Sequence, residues 1–219
     1  MSRVGVIDFE TTGLSPTLGD RATEIAIVVM DGTKVVDRFQ SLMNAGVRIP
    51  PFIEQYTGIT NDMIRTAPPA ADVMTEAARF VRGVPLVAHN AAFDHRFWSA
   101  ELGRLGADDG KDHAFACTML LSRRLYPQAG SYRLQSLASF HGLAPAGRAH
   151  RALADAEVAG ALLARIRQDL QREYALDAAP HDLLVKLQRT QRKALPKAIA
   201  AYFSRSPLRH TPAPPPALP

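Results

Sequence analysis

The sequence predicts an α/β fold, a mixed β-sheet flanked by α-helices. Three observations predict it. β-branched runs crowd the first 43 residues, helical periodicities dominate after residue 70, and one short apolar run, Val84–Ala88, interrupts the helical half. Strands that come first and helices that dominate later suit a sheet that its helices must cover.

Each element follows from its own pattern. Arg3–Glu10 reads as a strand because Val4, Val6 and Ile7 are β-branched. Thr11–Asp20 contains Gly13, Pro16 and Gly19 and reads as a loop. Thr23–Met30 is a second strand. Asp31-Gly32 is a two-residue hairpin signal and Val35–Met43 returns, so the chain opens as an antiparallel meander. Ala70–Arg82 places Val73, Met74, Ala77, Phe80 and Val81 at helical spacing. Val84–Ala88 is expected as a buried strand and Phe93–Gly103 as a helix that stops at glycine. Cys117–Tyr126 and Tyr132–Phe140 are two more amphipathic helices. Ala152–Tyr174 is a long one, with Val158, Leu162, Leu163, Ile166 and Leu170 on one stripe.

Composition sets the outer limits. With 219 residues, 47% of them hydrophobic and 21% charged, the chain can bury one sizeable core and is not globally disordered. One cysteine, Cys117, excludes an internal disulfide scaffold and argues against a Cys-based zinc site. Its neighbours Phe115, Met119 and Leu120 mark it as a buried structural thiol, and Trp98 reads as core. No apolar stretch of signal-peptide length precedes Asp8, and the longest apolar run in the first third, Ile25–Met30, is too short to span a bilayer. A cytoplasmic protein with no membrane partner is the expectation.

The formal charge of +5 is unevenly placed. Residues 1–170 carry 18 basic and 18 acidic groups, whereas residues 171–219 carry eight basic and three acidic groups. Three segments follow: a domain over 1–174, a basic amphipathic helical extension over 175–203, and a Pro-rich tail over 204–219 that is expected to be disordered. In the extension, Leu183, Leu184, Leu187, Leu195 and Ile199 repeat at three and four, with Arg189, Arg192, Lys193 and Lys197 between them. This pattern fits a helix docked on the domain, with phosphate gripping as the alternative. Pro196 is expected to break or kink it.

Three motifs carry chemistry. Asp8 and Glu10 alternate with Phe9, so both face one side at the end of the first strand. A polar strand end meeting water would explain the same pair. An apolar strand then ends in His89-Asn90, and Asp94 falls in the first turn of the next helix. Helix capping by Asn90 and dipole compensation by Asp94 would explain that motif too. Finally, His150 stands five residues before Asp155 at the start of the long helix. Five helical residues turn by about 500°, so His150 must precede the helix to share a site with Asp155. The alternative is a surface histidine beside a dipole-compensating acid.

Together, in this order and spacing, the segments Val6-Ile-Asp-Phe-Glu-Thr-Thr-Gly-Leu14, His89-Asn-Ala-Ala-Phe-Asp94 and His150-x4-Asp155 resemble the DEDD 3′–5′ exonucleases. The histidine branch (DEDDh), which includes the proofreading epsilon subunit of bacterial DNA polymerase III, matches best. In the tyrosine branch a Tyr stands four residues before the last Asp, where this chain has Arg151. The resemblance covers about residues 3–170.

The resemblance implies an RNase H-like sheet, with the meander first and then a parallel strand. It also implies that Asp8, Glu10, Asp94 and Asp155 bind two divalent ions, Mg²⁺ or Mn²⁺, whose preferred ligands are carboxylates. His150 would be the general base, since an unperturbed imidazole titrates at about 6.5. Thr11, Thr12, Leu14, His89, Asn90 and Phe93 would surround the terminal nucleotide. The implied reaction releases 5′-mononucleotides from single-stranded or frayed DNA 3′ ends. An RNA-directed exonuclease is the alternative, and a non-catalytic nucleic-acid-binding or polymerase-accessory protein the third reading.

Two details bear on partners. Thr57-Gly58-Ile59 stands where many proofreading subunits have His-Gly-Ile. Gln135–Phe140 loosely resembles a sliding-clamp-binding peptide, but Leu134, Leu137 and Phe140 are expected in the core, so clamp binding is not expected. No Gly/Ser/Gln-rich linker follows residue 174. A stand-alone or accessory enzyme is therefore expected ahead of a polymerase subunit, with a DNA polymerase as a further candidate partner.

Overall fold

The computed structural model describes residues 3–106, 114–144 and 150–204. Strands β1 (Val4–Thr11), β2 (Ala22–Asp31) and β3 (Lys34–Leu42) form the expected antiparallel meander. β4 (Leu86–Ala88) lies parallel to β1 on its other side, and β5 (Ala116–Cys117) lies parallel to β4. The sheet order is β3-β2-β1-β4-β5.

The helices are α1 (Pro51–Thr57), α2 (Asn61–Arg65), α3 (Ala70–Phe80), α4 (Ala91–Arg104), α5 (Thr118–Leu125), α6 (Leu134–His141), α7 (Ala152–Tyr174), α8 (His181–Leu187) and α9 (Leu195–Ser204). The sequence reading overlooked β5, α1 and α2. β5 is too short to show alternation, and α1 and α2 too short to establish a helical period. α1 starts at Pro51, at the first helical position, where its fixed φ fits and its missing N–H costs nothing.

Strand alternation sorts the core into two sides. Val4 and Val6 of β1, with Ala26, Val28 and Met30 of β2, pack against Ala159, Leu162, Leu163 and Ile166 of α7. Ile7 and Phe9, with Ile25 and Ile27, face α3 and α4, which contribute Val73, Met74, Phe97 and Trp98. Each buried Leu or Ile contributes about 1.5–3 kcal/mol relative to exposure. α7 approaches closely because Gly160 lacks a side chain: a Cβ there would lie 2.7 Å from Met30 Sδ.

The basic extension docks. Leu183, Leu184, Leu187, Leu195 and Ile199 are buried in the same apolar cluster as α7. Pro196 neither breaks nor kinks a helix. It sits in the first turn of α9, where a missing N–H is harmless, and the interruption falls earlier, between Leu187 and Arg192. Phe140 also departs from expectation, being 45% exposed at the end of α6 while Leu137 is buried. α6 has only two turns, so its buried stripe is too narrow to enclose it. The Pro-rich tail lies outside the described residues apart from Ser204, which ends α9. Among the described residues, no helix is long and apolar enough to cross a membrane.

Candidate active site

The alternation that sends Val4 and Val6 toward α7 sends Asp8 and Glu10 the same way. Glu24 follows on β2, directly opposite Glu10 in the antiparallel register. α7 adds Asp155 in its first turn. Oxygens of Asp8, Glu10 and Asp155 all lie within 4.8 Å of one another. Asp94, in the first turn of α4 and almost fully buried, falls outside this trio but is the largest charge acting on Asp8. Its carboxylate is bonded by its own amide and that of Phe9.

Crowded, partly buried acids resist ionisation. Burial, followed by the charges of Asp94 and Glu10, pushes Asp8 well above the carboxylate range. Burial, with Asp155 and Glu24 nearby, raises Glu10 to about 8. Asp94 is raised by burial against the opposing pull of its two amides. Asp155 is raised by burial, opposed by the amide and charge of His150 and by Gln135. An all-oxygen donor set that is costly to ionise alone fits a hard divalent cation, which would offset the repulsion.

His150 precedes α7, as the 500° argument requires. Its backbone lies in the left-handed region (φ 62°), and its N–H donates to Asp155 Oδ2 at 2.8 Å. The other oxygen, Oδ1, accepts from Gln135 Nε2 at 2.9 Å. The His150 ring stacks on Tyr56, with centroids 3.9 Å apart. Asp8, Tyr56, His150, Gln135 and Asp155 share an open cleft of about 840 Å³.

Two buried glutamates brace the helices that present these acids. Glu24 accepts from Arg151 Nε (3.1 Å), Arg151 Nη2 (2.9 Å), the Ala152 amide (3.1 Å) and Gln40 Nε2 (2.8 Å). It thereby fixes the start of α7. Glu101 of α4 holds Arg21 by Nε and Nη2, both at 2.8 Å, and accepts from the Ala22 amide at 3.3 Å.

The residues expected around the nucleotide divide. His89 and Asn90 line the cleft, whereas Thr11, Thr12, Leu14 and Phe93 lie outside its lining. The Thr11 hydroxyl donates to the Gly13 carbonyl, and the Thr12 hydroxyl accepts from the Arg21 amide, so both shape the loop after β1. Leu14 is 76% exposed. His89 Nε2 donates to the Tyr132 carbonyl at 3.0 Å, which leaves Nδ1 to accept from the Thr118 hydroxyl at 2.9 Å. Burial pushes its pKa down to about 4, so it is neutral at pH 7. Asn90 occupies the cap position of α4 without a side-chain cap bond, contrary to the capping expectation. Its left-handed backbone (φ 64°) departs from the extended geometry that aims a cap at the first amides. Thr57 is buried, donating to the Ile53 carbonyl and accepting from the Ile59 amide.

Comparison with known proteins follows this geometry. The family model described as "Exonuclease" (RNase_T) matches residues 6–163. The chain belongs to the exonuclease family. It is 36% identical over 187 residues to the 3′-5′ exonuclease DinG of Bacillus subtilis, covering 85% of this chain and 19% of that protein. It is 38% identical over 153 residues to the DNA polymerase III subunit epsilon of Treponema pallidum, covering 69% of this chain and 70% of that one. Exonuclease X, solved in complex with 5′ overhanging duplex DNA, superposes with a TM-score of 0.64 at 26% identity, over 84% of this chain and 99% of that chain. This family's sheet is the RNase H-like architecture that the motifs implied.

Glu24, Tyr56, Gln135 and Glu101 were missed as site residues by sequence reasoning. Glu24 left a signal: it is an acid directly before the apolar run Ile25–Met30, spaced two, four and six residues from Ala26, Val28 and Met30. The other three depend on contacts between elements distant in sequence.

Proposed function

We propose that this exonuclease-family protein removes 5′-mononucleotides from single-stranded or frayed DNA 3′ ends. The observation that carries the reading is the convergence of Asp8, Glu10 and Asp155 within 4.8 Å beside His150 in an open cleft. Asp8, Glu10, Asp94 and Asp155 would hold two divalent ions, Mg²⁺ or Mn²⁺. When bound, such ions supply Lewis-acid stabilisation of the charge that develops on the phosphate and the departing 3′-oxygen.

The chain's own groups do the rest. His150 takes a proton from the attacking water on a ring nitrogen, held in place by its N–H bond to Asp155 and its stack on Tyr56. Gln135 fixes the second Asp155 oxygen, so the carboxylate keeps one orientation. His89, neutral and bonded at both nitrogens, joins β4, α5 and the loop before α6 into a firm cleft wall. That the similar Exonuclease X was solved in complex with DNA supports DNA ahead of RNA as the substrate here. The protein would act in the cytoplasm, alone or as an accessory to a DNA polymerase.

Matched 5′-labelled DNA and RNA oligomers, incubated with Mg²⁺ or Mn²⁺, test activity, polarity and sugar preference together. A ladder shortened from the 3′ end of DNA and abolished by EDTA is expected, with nearly all activity lost in Asp8→Ala and Asp155→Ala. Degradation that persists in EDTA, or a ladder shortened from the 5′ end, would refute the reading.

A further inference from the structure

The charge surplus of residues 171–219 remains unused by the cleft chemistry. From Leu183 onward the chain contains no acid. The apolar stripe of the extension packs on the domain and leaves Arg189, Arg192, Lys193 and Lys197 exposed. Among the described residues none of these four forms an ion pair with a carboxylate.

Their placement relative to the cleft is fixed by Gln188. Its buried side-chain amide completes the edge of the sheet, accepting from the Cys117 N–H of β5 at 2.6 Å and donating to the Phe115 carbonyl at 3.0 Å. The residue after Cys117 is Thr118, whose hydroxyl bonds the cleft-lining His89. The Gln188 carbonyl accepts from Arg124 Nε at 3.4 Å, and Arg124 adjoins Arg123, which lines the cleft together with Arg133. Arg133 and Arg123 thus line the cleft, and Arg124, next along α5, meets the extension one residue before Arg189. α5 itself carries no acid.

A strand whose 3′ end enters the cleft must carry its remaining phosphates away across the surface. Residues 1–170, with balanced charge, provide no net attraction for them. We propose that the exposed basic side of the extension, reached through Arg123 and Arg124, binds the phosphates of a single strand several nucleotides 5′ of the end held in the cleft. This rests on the exonuclease reading for what occupies the cleft. Such a second grip makes affinity depend on strand length and on salt, because each phosphate contact releases condensed counterions.

The test compares wild-type protein with the triple variant Arg189→Gln, Arg192→Gln, Lys193→Gln. Binding of 5′-fluorescein dT4 and dT16 is followed by anisotropy in EDTA across a salt series. In the wild type, dT16 should bind more tightly than dT4. In the variant that advantage should shrink about tenfold, and the slope of log affinity against log salt for dT16 should fall by about 2. All three side chains are exposed, so the melting temperature should hold. If it drops, Arg192→Gln alone should still lower the slope by about 0.7. An unchanged slope and length dependence, or an equal loss on dT4 and dT16, would overturn the proposal. Metal-dependent turnover of dT4 by the wild type tests the exonuclease reading separately.

Discussion

Glu24→Ala is the sharpest test of how the fold builds its site. Four hydrogen bonds end on this carboxylate, and its side chain is fully buried. Truncation strands the Ala152 amide in a fully buried position, at a cost of about 1–3 kcal/mol. Arg151 is about a third exposed and can rehydrate, so losing its ion pair adds about 1 kcal/mol. Against this, removing Glu24 relieves repulsion on Asp8 and Glu10. The net expectation is destabilisation of about 2–3 kcal/mol by urea unfolding. The start of α7 loses its anchor, and with it the placement of Asp155 and His150. A displacement on the order of 1 Å there should lower kcat about 100-fold with less effect on KM. Glu24→Gln keeps the shape and one acceptor oxygen for the Ala152 amide, so it should recover most of the stability and activity. A Glu24→Ala protein within about 0.5 kcal/mol of wild type, or one with unchanged kcat, would refute the reasoning.

Four further outcomes follow from the same geometry. In EDTA, Glu10 stays protonated in the folded state up to about pH 8 but ionises near 4.5 in the unfolded chain, so stability should fall as pH rises across that window. The loss from Glu10 between pH 6.5 and 8 is about 2 kcal/mol, and Mg²⁺ should raise the melting temperature more at pH 8 than at pH 6. His89 works in the opposite sense: its folded value of about 4 lies below the unfolded 6.5, so its contribution fades as pH falls from 6.5 to 4, visible as a His89-dependent acid limb in thermal melts. Tyr56→Ala should lower kcat about fivefold by freeing the His150 ring, and Tyr56→Phe should restore it; equal losses in both would assign the effect to the hydroxyl instead. Gln188→Leu should cost about 2–4 kcal/mol in urea unfolding, because the buried Cys117 N–H and Phe115 carbonyl lose their partners.

Strand order and site chemistry were legible to different depths. The meander was readable because alternation and the Asp31-Gly32 turn are local signals, and α7 because 23 residues sample its period many times. The placement of Asp8 and Glu10 on one side of β1 follows from the pleat alone. Short elements were not readable: β5 has two residues, and α1 holds its place through a proline start and contacts with remote segments. Asn90 illustrates a limit of local rules, since its residue type suits a cap while its backbone turns left-handed.

The pairing of the first three strands, the long helix, and the set of acids with a histidine five residues before the last can all be read from local sequence. These are encoded within a few residues, through periodicity and spacing. Which acids meet, that Glu24 and Glu101 serve as braces, that Tyr56 stacks on His150, and that Gln188 seals the sheet edge emerge from long-range packing alone. Those contacts join residues as many as 128 positions apart. They arise from burial, because a polar group withdrawn from water must find its partner wherever the fold brings one.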